Sequence, residues 1–121
     1  MKQLEDPNPR AVRAPHGALA MEIDWADGAT TRLEHWILRG FCPCAVCQGH
    51  EGPIQYVDQH ERGAAALELR DVRRVGNYAL ALGWGDGHDT GIYAFRYLRR
   101  LASLADRARE EVVTVRFPRG S

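Results

Sequence analysis

Residues 77–101 read NYALALGWGDGHDTGIYAFRYLRRL, and this stretch decides the fold class. Tyr78, Leu80, Leu82 and Trp84 fall at every second position, the period of a strand with one apolar face. Gly85 to Gly91 then breaks the pattern with three glycines, a composition that suits a loop. Beyond it Ile92, Phe95, Leu98, Leu101 and Leu104 recur every three residues, which predicts an amphipathic helix, with Asp89 or Thr90 as its cap. A strand followed by a helix that closes its apolar face implies an α+β domain. The sequence therefore predicts a small antiparallel β-sheet with one principal C-terminal helix.

Working outward, Leu19, Met21, Ile23 and Trp25 alternate in the same way, and Asp27-Gly28 follows as a hairpin turn that returns through Ala29 to Leu33. Leu33, Trp36 and Ile37 are spaced for a short helical turn. Ala66 to Val75 reads as a strand that bends or bulges near Asp71, and Gly76-Asn77 turns it into the strand at 77–84, so about four strands are expected. Residues 48–63 are polar and interrupted by Gly49, Gly52, Pro53 and Gly63, the longest irregular connection. Residues 1–14, with Pro7 and Pro9 among charges, are expected as a mobile N-terminal arm, residues 15–109 as the folded domain, and 110–121 as a tail in which Val112, Val113 and Val115 could add an edge strand. No internal repeat is evident. Trp25, Trp36 and Trp84, with Tyr78, Tyr93 and Tyr97, are expected in the core.

The 121 residues fit one domain. Hydrophobic residues make up 45% and charged residues 26%, the balance of a folded chain. Sixteen Lys and Arg offset sixteen Asp and Glu, so no net field holds the chain on nucleic acid or an anionic membrane. Arg96, Arg99, Arg100, Arg107 and Arg109 read as a solvated helix face rather than an RNA site. No apolar run approaches membrane-spanning length and no secretory signal opens the sequence, so a cytoplasmic location is expected.

Cys42, Cys44 and Cys47 lie within six positions, an odd number too crowded for a disulfide framework. Metal ligation or redox chemistry remains. Zinc takes four thiolate or imidazole ligands in a tetrahedron, and Cys44-x-x-Cys47 is a spacing that aims two sulfurs at one ion. Pro43 lowers the entropy of holding the bend. The vacancy for a fourth ligand has two main candidates. His50 follows three residues after Cys47, at the cost of a strained backbone, whereas His88 stands in the glycine-rich loop, where a side chain is easily presented. His16, His35 and His60 are weaker claimants. The same cysteines would alternatively serve a Cys44–Cys47 redox pair or a transient iron–sulfur site.

Leu38-Arg39-Gly40-Phe41-Cys42-Pro43-Cys44-Ala45-Val46-Cys47 resembles the L-R-D-N-C-x-C-x-x-C segment in the N-terminal domain of gamma-butyrobetaine hydroxylase and trimethyllysine hydroxylase. Gly85 to Tyr93, followed by Tyr97-Leu98, is similar to the same domain's second motif, D-G-H-x-(T/S)-x-(Y/F) and then a helix. The resemblance spans roughly residues 14 to 105, with Gly40-Phe41 in place of Asp-Asn. It implies structural zinc on Cys42, Cys44, Cys47 and His88. The hydroxylases carry their iron and 2-oxoglutarate site in a second, longer domain for which 121 residues leave no room, so the resemblance implies the stand-alone bacterial form of the domain and no enzymatic activity. Related copies fused to P-loop ATPases that carry iron–sulfur clusters imply another protein as partner, an assembly ATPase or a metalloenzyme, and a role in cluster assembly. Asp86 is expected to orient the imidazole and Asp89 to cap the helix, rather than to catalyse proton transfer.

Overall fold

The computed structural model describes residues 8–49, 52–58 and 63–118. Its elements run β1 (Pro9–Arg13), β2 (Ala20–Trp25), β3 (Thr30–Glu34), α1 (His35–Gly40), α2 (Ala45–Gln48), β4 (Ile54–Gln55), β5 (Leu69–Val75), β6 (Ala79–Trp84), β7 (Gly91–Ala94), α3 (Phe95–Leu101), α4 (Arg109–Val112) and β8 (Arg116–Phe117). Short 3₁₀ turns cover Ala64–Leu67 and Ala102–Leu104, the second continuing α3. The strands make two antiparallel three-stranded sheets, β1-β2-β3 and β5-β6-β7, and an antiparallel pair, β4-β8. The α+β class and the C-terminal helix are as read from the sequence.

The single sheet of four strands is replaced by something the sequence pattern hid, a repeat. The order β-β-β-α-α-β occurs twice, and the details coincide. Pro9 pairs with Trp25 and Leu69 with Trp84, and in each pairing a bulge follows immediately, between Pro9 and Ala11 or between Leu69 and Asp71. The Trp25 N–H donates to Ala29 O and that of Gly28 to Trp25 O; the Trp84 N–H donates to His88 O and that of Gly87 to Trp84 O. Gly28 and Gly87 have φ of 94° and 91°, the left-handed conformation that makes glycine the ready residue in both turns. Trp25 meets Phe95 edge-on at 6.2 Å, and Trp84 meets His35 edge-on at 5.7 Å. The two units contact one another reciprocally: Arg39 on α1 lies over Trp84 and pairs with Asp86, while Arg99 on α3 lies over Trp25 and pairs with Asp27. Few identities survive between the units and one extra residue follows His88, which is why no repeat was apparent in the sequence.

Several local expectations change. Residues 9–13, assigned by sequence to the arm, form the edge strand β1, because Val12 packs on the core and pairs with Ile23; residues 1–7 lie outside the described residues. The helix predicted from Ile92 starts at Phe95, since Leu80 pairs with Tyr93 and draws residues 91–94 into β7; Tyr93 is buried and Ile92 exposed, the alternation of a strand. Strand β6 is buried along its whole length, because Ala79, Ala81 and Gly83 present small buried faces opposite Leu80, Leu82 and Trp84. Leu19 and Tyr78 end up exposed at the starts of β2 and β6, not in the core, and Trp36 is half-buried. Val112 is buried in α4 and the tail's strand is β8, so it is Ile54 and Phe117 that pair across the two units.

The core gathers Met21, Ile23, Trp25, Leu33, Leu80, Leu82, Tyr93 and Leu98 between the sheets and helices. Burial of such side chains contributes about 1.5–3 kcal/mol each. Gly40 is required at the end of α1 because the Tyr56 ring occupies the space a Cβ would take.

Candidate metal centre

Helix α1 ends at Gly40, and the chain around its end is held by a set of hydrogen bonds. Phe41 N–H donates to Ile37 O, Cys42 N–H to Arg39 O at 3.2 Å, and the Tyr93 hydroxyl to Leu38 O at 2.6 Å. The Tyr97 hydroxyl donates to Phe41 O. The last carbonyls of a helix lack intrahelical partners, and two phenols from β7 and α3 supply them here. Burial raises the pKa of both tyrosines, which keeps them protonated as donors. Cys44 then begins α2: its carbonyl accepts from Cys47 N–H and Gln48 N–H, so Cys44 and Cys47 share one helical turn. Gln48 Nε2 donates to Cys42 O at 3.0 Å and to Gln55 O at 2.8 Å, which fastens the loop to β4.

The β6–β7 turn brings His88 to this loop. Its Nε2 lies 3.4 Å from Cys42 Sγ and 3.5 Å from both Cys44 Sγ and Cys47 Sγ. All four atoms fall within 4.8 Å of one another. One imidazole nitrogen has a single proton or a single lone pair, so it cannot serve three thiols at once. Tetrahedral zinc, with bonds of about 2.3 Å to sulfur and 2.0–2.1 Å to nitrogen, would separate nitrogen from each sulfur by roughly 3.5–3.6 Å. The observed spacing fits that geometry. The donor set, three soft sulfurs and an imidazole, is one that can hold a metal ion.

Cys42 is fully buried, and Cys44, Cys47 and His88 are half-buried. The Cys42 thiol is pushed up by its hydrogen bond to Cys47 and by burial. Cys47 is lowered to about 5 because it accepts from Cys42 and Cys44 and faces His88 and Arg39. Cys47 is thereby the sulfur favoured to lose its proton, and it is the thiolate that binds metals.

Two features make room for the buried sulfur. A Cβ on Gly91 would stand 2.8 Å from Cys42 Sγ, so Gly91 leaves the space that Cys42 fills. In the first unit the matching position is Thr31, whose Oγ1 accepts from Trp25 Nε1 at 2.8 Å. The glycine offers no hydroxyl, and Trp84 Nε1 is accordingly a buried donor with no partner among the described residues.

The sequence-derived quartet of Cys42, Cys44, Cys47 and His88 is therefore brought together. His50, the alternative, and His60 lie outside the described residues. His35 is elsewhere: its Nδ1 donates to Leu67 O at 2.9 Å and its ring packs on Trp84. His16 lines a groove with Leu19, Leu67 and Arg70. Asp86 does not touch the imidazole as expected. Its Oδ1 accepts the His88 backbone N–H at 3.2 Å, and both its oxygens are bridged by Arg39 at 3.0 Å. Asp89 is no cap, because β7 separates it from α3, whose N-cap is Ala94. Arg39 was overlooked in the sequence. It is completely buried, although the repeated pairing of an Asp-Gly turn with a later Leu-Arg could have marked it.

Among curated proteins none matches the chain. A crystal structure of a protein of unknown function from Acidithiobacillus ferrooxidans, of the DUF971 family, is 38% identical with a TM-score of 0.62, over 79% of this chain and 93% of that one. Two solution NMR structures are each 26% identical with TM-scores of 0.67; one alignment covers 91% of this chain and 84% of the other, the second 98% and 91%. The profile of the family described as gamma-butyrobetaine hydroxylase-like, N-terminal, matches residues 13–99, and to that family the chain belongs.

Proposed function

We propose that the protein is a non-catalytic zinc-binding module that presents a surface to another protein, in the service of iron–sulfur cluster assembly. The observation that carries the metal is the near-equal distance of His88 Nε2 from three sulfurs. Four protein ligands fill a zinc tetrahedron and leave no position for water or substrate, the arrangement of structural rather than catalytic sites. Support for a partner comes from α2, where Val46 stands 74% exposed between two of the ligands. The assembly role, with an iron–sulfur ATPase or a metalloenzyme as partner, follows from the family resemblance. A cytoplasmic setting suits three free cysteines, and no helix among the described residues is long and apolar enough to cross a membrane.

Elemental analysis of protein purified without added metal tests the site. One zinc per chain, lost in Cys44→Ser and His88→Ala and retained in His50→Ala, is expected; retention in His88→Ala with loss in His50→Ala reverses the ligand assignment. A second reading, a redox or transient iron–sulfur carrier, draws on the depressed Cys47 thiol. Anaerobic iron and sulfide would then colour the protein, or a reversible Cys44–Cys47 disulfide would form with little structural change.

A further inference from the structure

We propose that the Arg39–Asp86 pair is a positioning device that sets the His88 turn against the cysteine loop, so that the fourth ligand is in place before any ion arrives. The inference rests on the metal-binding reading of the site. Arg39 touches both ligand-bearing segments. Its carbonyl accepts the Cys42 N–H, and its guanidinium grips both oxygens of Asp86 while also donating to Ala66 O at 3.0 Å. Asp86 passes the constraint on through the His88 N–H. One side chain thus fixes the distance between the first sulfur and the imidazole, which arrive from different units of the fold. A planar fork held at two oxygens resists rotation, which a single point contact does not.

The reciprocal pair, an arginine of the second unit on the Asp27 turn of the first, is the same device without the ligands. Arg99 grips Asp27 at 3.3 and 3.1 Å, and Asp27 Oδ1 accepts the N–H of Ala29, the residue that stands where His88 stands in the other turn. The copies differ in burial. The side chains of Arg99 and Asp27 are 32% and 59% exposed, those of Arg39 and Asp86 only 0% and 13%. Arg39 Nε is in addition a buried donor without a partner among the described residues. Burying an ion pair is expensive in desolvation, and a fold that closes one such turn with an exposed pair has no need of a buried one for closure alone. The burial coincides with the unit that carries His88.

The test compares the two copies. Zinc affinity is measured by competition with a chromophoric chelator for wild type, Arg39→Lys, Asp86→Asn, Arg99→Lys and Asp27→Asn, with urea unfolding of each metal-free protein alongside. Outer partners of metal ligands are typically worth about 10–100-fold in affinity. A loss of that size is expected in Arg39→Lys and Asp86→Asn, and less than threefold in Arg99→Lys and Asp27→Asn. The cobalt-loaded Arg39 and Asp86 variants should also show altered d–d bands. Should Arg39→Lys fail to fold, Asp86→Asn alone decides. Wild-type affinity and cobalt spectrum in the Asp86 variant, or equal losses in both copies, would overturn the proposal. Absence of stoichiometric metal in the wild type would instead overturn the reading of the site beneath it.

Discussion

Gly91→Ala is the smallest change that strikes the centre directly. The backbone at 91 is not in the left-handed region, so alanine is tolerated there conformationally and the effect is purely one of space. The added methyl would lie 2.8 Å from Cys42 Sγ and 3.0 Å from the Tyr93 ring, against about 3.5–4.0 Å for relaxed contact between heavy atoms. Overpacking of this kind costs about 1–3 kcal/mol. In the metal-free protein no bond to an ion holds the Cys42 sulfur, so a shift of that side chain can relieve part of it. In the loaded protein the sulfur is fixed, so the cost falls on the bound state and weakens zinc binding by roughly 5- to 150-fold, at a factor of ten per 1.4 kcal/mol. Chelator competition on Gly91→Ala reads that loss, and urea unfolding of the metal-free variant should show a smaller one. Combination with Cys42→Ala removes the nearest atom, so in a double-mutant cycle the stability penalty of Gly91→Ala should shrink. Unchanged zinc affinity in Gly91→Ala would refute the packing of Cys42 against residue 91, and with it the account of the stranded Trp84 indole.

Burial lowers the His35 pKa, so the ring is neutral in the fold, and its Nε2 has no partner among the described residues. Stability from this residue is then fully present above the ordinary histidine pKa of about 6.5 and is lost as pH falls toward the depressed folded value. His35→Phe, which copies Phe95 of the other unit, should flatten the fall in urea midpoint between pH 7 and 5, roughly the ordinary histidine range. Tyr97→Phe strands the Phe41 carbonyl and should cost about 1–3 kcal/mol in urea unfolding. Chelation of the metal should lower the thermal midpoint sharply, since apparent binding energies of structural zinc reach ~10 kcal/mol or more; a midpoint that does not move on metal removal contradicts a structural site. The Asp24 and Asp27 carboxylates are held low chiefly by hydrogen bonds from Arg13 and Arg99. Their contribution persists above about pH 4 and disappears as the acid form takes over below it, so Asp24→Asn should blunt acid unfolding monitored by circular dichroism.

The quartet was legible because its chemistry is written in residue type and spacing: three sulfurs in six positions and a histidine framed by glycines. The hairpin at Asp27-Gly28 and the strand at 77–84 were legible for the same reason, through turn chemistry and period. What remained hidden depends on pairing. Ile92 sits three before Phe95 and so scans as helix, but the register Leu80 to Tyr93 makes it a strand residue. The two-residue strands Ile54–Gln55 and Arg116–Phe117 have no period to read, and exist only because they meet. Arg39 reads as a surface cation until its partner, far along the chain, is placed beside it. The repeat escaped because its units share backbone hydrogen bonds and a few anchors, Trp25 and Trp84, Arg39 and Arg99, rather than a run of identities.

The pairing of β4 with β8 joins the last strand of one unit to the last strand of the other. During synthesis the three sulfurs leave the ribosome well ahead of the His88 imidazole, and Ile54 waits longer still for Phe117. The first unit supplies the three sulfurs and the second the imidazole, so the order of translation itself makes completion of the quartet a late event.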